Sequence, residues 1–169
     1  MSDSLGRVRA ALDAAGVAVD IREMPGSTRT AAEAADAVGC ALDQIAKSII
    51  FHGQDSGAVL LFLTAGGNRV DPDKAATLAG EPLSRADAAL VRARTGFAIG
   101  GVAPVGHLSP VRAFLDPRLA EFAQVWAAAG TPRHVFAIAP DRLQAGPPHG
   151  PVILSHEPRG GSGALERDI

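Results

Sequence analysis

Leu5, Val8, Ala11, Leu12 and Ala15 recur at helical spacing along the first segment of the chain, and Gly16 stands where such a helix would stop. The period then changes. Val17, Val19 and Ile21 alternate with Ala18, Asp20 and Arg22, as a half-buried strand requires. Thr30-Ala31-Ala32-Glu33 has the form of a capping box and predicts a helix to about Val38, closed by Gly39. A helical turn over residues 42–46 leads into a buried strand at 48–51. The Gln54-Asp55-Ser56-Gly57 sequence then reads as a hairpin turn into an apolar strand at 58–64.

Asp71-Pro72 places a capping residue before a proline at the first helical position, so a helix is expected from there to about Ala79. Ser84 to Asp87 caps another, to about Arg94. Residues 111–115 read as a strand. Asp116-Pro117 reads as the cap of a helix bearing Leu119, Phe122, Val125, Trp126 and Ala129, with Gly130 at its end and a strand over 134–139 beyond. Helices and strands mix without strict alternation, which favours an α/β domain built on a mixed sheet. From about His156 the chain turns glycine-rich and polar, so residues 1–155 are expected to form one domain and 156–169 a disordered tail.

One stretch breaks these periods. Thr95 to Gly106 carries no charge and is studded with glycine, with His107 immediately after. Its pattern predicts a buried strand that breaks into a loop. Glycine there serves either a structural bulge or the close approach of a ligand, with Gly100, Gly101 and Pro104 shaping a loop whose backbone N–H groups face it. Lys47 also stands out, because Ala46 on one side and Ile49-Ile50 on the other make its surroundings apolar. It either snorkels to the surface or is a fixed cation aimed at a phosphate or a developing negative charge.

Composition narrows the chemistry. A hydrophobic content of 47% in 169 residues supports a substantial core, while 4% aromatic residues and no tyrosine argue against a base-stacking sheet. A net charge of −2 offers no global attraction to duplex DNA, although a local basic patch is compatible with it. The single cysteine, Cys40, rules out an intramolecular disulfide and suits a reducing cytoplasm; its position after a helix stop favours packing or capping over nucleophilic work. The N-terminus lacks the apolar core of a signal peptide, and no run suits a membrane span. No Walker A loop, GxGxxG fingerprint, GxSxG elbow or HExxH pair occurs, and the five histidines are scattered. No cofactor or metal is therefore expected. Any catalysis must run on backbone donors, a lysine and water.

Three segments together resemble the YbaK/prolyl-tRNA-synthetase-associated editing domain family: residues 44–51 around Lys47, residues 63–74 ending at Lys74, and residues 96–106. The resemblance runs in order from about Thr28 to Leu143. It implies a compact α/β domain with a curved mixed β-sheet flanked by helices. It also implies a free-standing aminoacyl-tRNA deacylase, with tRNA for proline a frequent substrate. Lys47 matches the family's active-site lysine near the terminal adenosine, and Gly100 and Pro104 match the ends of its GxxxP loop, with Gly101 inside it as a backbone donor. Where cysteinyl-specific members carry serine this chain has Ala128, which puts that specificity in doubt and leaves Thr131 and His134 as pocket candidates. Ile45, Phe51, Phe97 and Val102 either shape the pocket or pack the core. Arg69 and Lys74 are candidate phosphate contacts. The partners implied are the aminoacyl-tRNA acceptor end and a synthetase, without membrane or DNA. The alternative to a trans-editing hydrolase is a non-catalytic module that binds an aminoacylated tRNA or nucleotide end; a hydrolase of another small ester ranks below both.

Overall fold

The computed structural model describes residues 3–144 and 152–153. Along the chain run α1 (Asp3–Ala14), β1 (Ile21–Glu23), α2 (Ala31–Val38), β2 (Ala46–Gly53), β3 (Val59–Ala65), α3 (Pro72–Ala79), β4 (Leu83–Arg85) and α4 (Ala88–Thr95). These are followed by β5 (Arg112–Leu115), β6 (Val125–Ala128), β7 (His134–Ile138), α5 (Pro140–Gln144) and β8 (Val152–Ile153). Short 3-10 turns occupy Leu42–Gln44 and Pro117–Glu121. The result is a single mixed α/β domain. Its strands form two sheets rather than one, ordered β4-β2-β3-β5-β8 and β1-β7-β6. A parallel bridge from Ile45 to Trp126 links them.

The local signals that start the helices are visible in the geometry. Thr30 and Glu33 exchange both capping-box hydrogen bonds, and the Asp71 carboxylate accepts from the N–H groups of Asp73 and Lys74 ahead of α3. β2 and β3 pair antiparallel from Ala46↔Ala65 to His52↔Val59. Alternate residues of this hairpin feed two cores. Ala46, Ile50, Leu61, Leu63 and Ala65 join Val8 and Leu12 of α1 and Phe136 of the small sheet. Ile49, Phe51, Leu60 and Phe62 pack beneath α3 with Phe114. Because both faces are covered, the strands read as continuous apolar runs.

Two elements depart from the sequence expectation. The helix expected after Asp116 is only the short 3-10 turn, and Val125-Trp126-Ala127-Ala128 form β6, buried along its whole length between β7 and the bridge to Ile45. A fully buried strand has no alternation, so its apolar spacing cannot be told from a helical face. The glycine-rich run contains no strand: all of residues 96–111 are loop. Two smaller shifts accompany these. β1 begins only at Ile21, and residues 83–85, expected to lead into a helix, pair with β2 before Asp87 caps α4. The tail expected from His156 lies outside the described residues. Among the described residues no helix is long and apolar enough to cross a membrane.

Asp116 caps its turn and does more. Fully buried, its carboxylate accepts from Arg118 N–H at 2.9 Å and, through the other oxygen, from Ala65 N–H and the Asn68 amide at 3.0 Å each. It thereby ties the end of β3 to the end of β5. Asp116→Ala leaves those donors buried without an acceptor, so an unfolding free energy lower by at least about 2 kcal/mol is expected in urea titration; a change under about 0.5 kcal/mol would contradict the role.

Candidate active site

β2 is paired unevenly. β3 lines one edge from Ala46 to His52. The other edge meets β4 only at Phe51–Gly53 and β6 only through Ile45. Between those contacts neither strand flanks β2, and the loop following α4 reaches it through a side chain. Ser48 Oγ donates to the Val102 carbonyl at 2.8 Å, both residues being buried. The peptide between Val102 and Ala103 is trans, so the Ala103 N–H points the opposite way from that carbonyl, away from Ser48.

The loop's glycines are there for close approach. Gly100 has φ 90°, and a Cβ on it would lie 2.9 Å from Arg29 Cγ. On Gly101 a Cβ would lie 2.6 Å from the Thr131 carbonyl carbon and 2.9 Å from Pro132 N, so any side chain would lift the loop off that backbone. The sequence reading makes the Gly101 N–H a donor open to a ligand; in the structure it instead donates to the Ala98 carbonyl at 2.9 Å. Among the described residues, the N–H groups of Gly100, Val102 and Ala103 have no hydrogen-bond acceptor.

Facing the loop is the turn before β7. Thr131 Oγ1 accepts from Arg133 N–H at 3.1 Å and lies 2.6 Å from His134 Nδ1, to which the hydroxyl can donate. His134 Nε2 is 4.0 Å from a Glu23 carboxylate oxygen on the neighbouring strand. Thr28 clamps the same turn, donating from both its hydroxyl and its N–H to the Pro132 carbonyl at 2.8 Å. Arg29 and Pro132, which touch the loop, also line a cavity of about 500 Å³ with Arg133 and residues 25–27. Arg29 is exposed there.

Lys47 is not a surface residue. It is 1% exposed and stands opposite Thr64 in the hairpin. Strand alternation turns it to the face of Ile49 and Phe51, opposite the Ser48 hydroxyl. Its ammonium takes part in a hydrogen-bonding or electrostatic interaction within the protein, as a buried charge must. It does not line the cavity beside Arg29.

The structure thus brings Gly100, Gly101, Thr131 and His134 together and places Lys47 in the strand behind them. It removes others. Phe51 packs edge-on to Phe62 beneath α3, and Ile45 is buried against α2 and Trp126. Phe97 and Val102 are core as well. Pro104 faces a different cavity of about 390 Å³, behind the loop, shared with Leu12, His107 and Val111. Arg69 and Lys74 are exposed and already engaged in interactions of their own. Sequence reasoning missed Ser48 and Arg29. A hydroxyl inside an apolar strand beside Lys47 was the available signal for the first; Arg29 reads as an ordinary solvated loop residue. Among the described residues no cluster of His, Cys, Asp and Glu could hold a metal ion.

The model of the aminoacyl-tRNA editing domain matches residues 26–145. The uncharacterized protein YwhH of Bacillus subtilis (strain 168) is 32% identical over 124 residues, spanning 73% of this chain and 78% of that protein. A solved structure of a protein proposed as a trans-editing enzyme for prolyl tRNA synthetase is 46% identical, with a TM-score of 0.85 over 94% of this chain and 99% of its own. A protein solved in work on epitope backbone grafting onto scaffold proteins is 44% identical, with a TM-score of 0.84 over the same shares of the two chains.

His107 closes the loop from behind. Its Nε2–H donates to the Ala103 carbonyl at 2.7 Å, and its ring meets Phe97 edge-on at 5.7 Å. Burial pushes its pKa below the ordinary 6.5; the Arg7 charge acts in the same direction and the hydrogen bond opposes it. The unfolded chain therefore takes up a proton near pH 6.5 that the folded chain refuses. Stability should be full above that pH and fall as pH drops through it. Urea titrations at pH 7.5 and 5.5 should show a smaller acid loss in His107→Gln than in the native protein; equal losses would place the pH dependence elsewhere.

Proposed function

The chain belongs to the aminoacyl-tRNA editing domain family, and from that premise we propose that it is a trans-editing hydrolase acting in the cytoplasm. It cleaves the ester between a wrongly attached amino acid and the 3′ end of a tRNA, with tRNA for proline the first candidate. The supporting observation is the loop at Gly100–Gly101, which lies against Arg29 and the Thr131 backbone with the Gly100 N–H free of an acceptor among the described residues. That arrangement suits an acyl ester, which is reactive enough to need no protein nucleophile.

The chemistry asks for little else. Water adds to the ester carbonyl, charge builds on its oxygen, and the ribose oxygen leaves with a proton to give free amino acid and a tRNA 3′-hydroxyl. In this reading the N–H group of Gly100, beside Arg29, meets the developing oxyanion, an interaction whose loss typically costs about 10²–10³ in rate. Gly101 contributes by lacking a side chain. The exposed guanidinium of Arg29 meets the terminal phosphate, a contact that the burial of Lys47 denies to the lysine. Lys47 acts instead as a fixed positive charge in the low-dielectric wall, where its field is little screened. The hydroxyl of Thr131 and the imidazole of His134 supply polar groups that sort one amino acid from another.

The test is deacylation of a panel of mischarged tRNAs. Turnover beyond one equivalent supports the hydrolase, whereas stoichiometric protection of the ester would support a binding module. In single-turnover reactions Lys47→Met, which keeps the aliphatic stem, should lose at least about tenfold, or ~1.4 kcal/mol of transition-state stabilisation, and Lys47→Arg should recover only part. Native rates in folded Lys47→Met would remove the lysine from the mechanism.

A further inference from the structure

The helix α1 precedes the span matched by the family model, which begins at residue 26. Its contacts nevertheless converge on the ends of the proposed active loop. Arg7 Nη2–H donates to the Gly96 carbonyl at 2.8 Å and Nε–H donates to the Gly106 carbonyl at 3.1 Å. The same guanidinium lies 5.0 Å from the centroid of the Phe97 ring. One rigid fork therefore holds the carbonyls at which the loop begins and ends.

The approach is close because glycines permit it. Gly106 has φ 83°, and a Cβ on it would lie 3.0 Å from the Arg7 carbonyl oxygen. On Gly130, with φ 102°, a Cβ would lie 2.9 Å from the Ser4 carbonyl oxygen and 3.2 Å from Phe97 Cε1. Gly130 directly precedes Thr131, whose backbone carries Gly101. The first turns of α1 thus touch both halves of the site from behind. Val8 and Leu12 anchor the helix in the main core through apolar contacts of their own. The Arg7 hydrogen bonds lie apart from that anchor, on the loop.

Resting on the hydrolase reading above, we propose that α1 is a strap across the back of the active loop, and that Arg7 is the positioning residue that holds the loop's donors in register for ester hydrolysis. Arg7 touches no substrate. It acts through the Gly96 and Gly106 carbonyls, as a brace whose release lets Gly100–Ala103 drift from Thr131. Small misplacements of such donors lower turnover while leaving recognition of the polynucleotide largely alone.

The experiment compares the full-length native protein with Arg7→Met, which keeps the stem but removes both hydrogen bonds, and Arg7→Lys, which can reach only one carbonyl. Hydrogen–deuterium exchange of amides in residues 97–103 and kcat and KM for a mischarged tRNA are read together. In Arg7→Met, exchange in that loop should rise at least about tenfold with β2 and β3 unchanged, the effect expected of one lost charge-assisted hydrogen bond. The kcat should fall at least about tenfold with KM within about twofold, and Arg7→Lys should lie between. Unchanged loop exchange, or faster exchange with native kcat, overturns the proposal. If Arg7→Met does not fold, Arg7→Lys alone decides by the same loop amides. Native protein that shows no deacylation at all, with the exchange response intact, would leave the strap standing and refute the hydrolase reading instead.

Discussion

One buried hydrogen bond ties the candidate site to the fold: the Ser48 hydroxyl on β2 donates to the Val102 carbonyl of the loop after α4. β4 and the Ile45 bridge meet only the two ends of the other edge of β2. Between them the loop reaches the strand through the Ser48 side chain, on the face that turns to the main core. A loop can do this only if it lies flat against three surfaces at once. Gly100 lets it pass Arg29, Gly101 lets it rest on Thr131 and Pro132, and Gly106 lets it turn beneath α1. A loop held by a side chain does not pair like a strand, and the Gly100, Val102 and Ala103 amides have no acceptor among the described residues.

Charge is distributed with similar economy. Lys47 and Asp116 are both buried at the end of the β2–β3 hairpin, where Thr64 faces the lysine and the next residue, Ala65, donates to the carboxylate. Stripping water from an ion costs several kcal/mol, so each must be held by hydrogen bonds or opposite charge. A charge fixed in that way cannot swing out to greet a ligand. In the proposed mechanism such a charge contributes an electrostatic field that needs no reorganisation, and contact with an incoming phosphate is assigned to Arg29, which is exposed.

Local chemistry was the part of the fold most legible in the chain. The capping box at Thr30–Glu33 and the Asp71-Pro72 start each specify a helix within a few residues, independently of anything distant. The continuous apolar runs of β2 and β3 announced a hairpin buried on both faces. What failed depended on long-range pairing. Val125–Ala128 has helical spacing, yet becomes β6 because β7 lies alongside it. The run from Gly96 looked like a broken strand because it is apolar, although its burial comes from packing into the main core as a loop. The division into two sheets likewise rests on pairing between strands distant in the chain. Within the candidate site, Gly100, Gly101 and Lys47 stood out as residues at odds with their surroundings. Ile45 and Phe51 did not, and they are core. Ser48 and Arg29 matter through what they touch across the fold, which sequence spacing cannot show.

The claim on which these points converge is that the aminoacyl end of a tRNA is received where the loop meets the Thr131–His134 turn. A ¹H–¹⁵N correlation titration with a non-hydrolysable, amide-linked aminoacyl-adenosine tests it directly, because each amide reports its own position. Saturable shifts should concentrate at Arg29, at residues 100–103 and at Thr131, Arg133 and His134. Shifts confined to the cavity of Leu12, His107 and Val111, or none at saturating ligand, would contradict it.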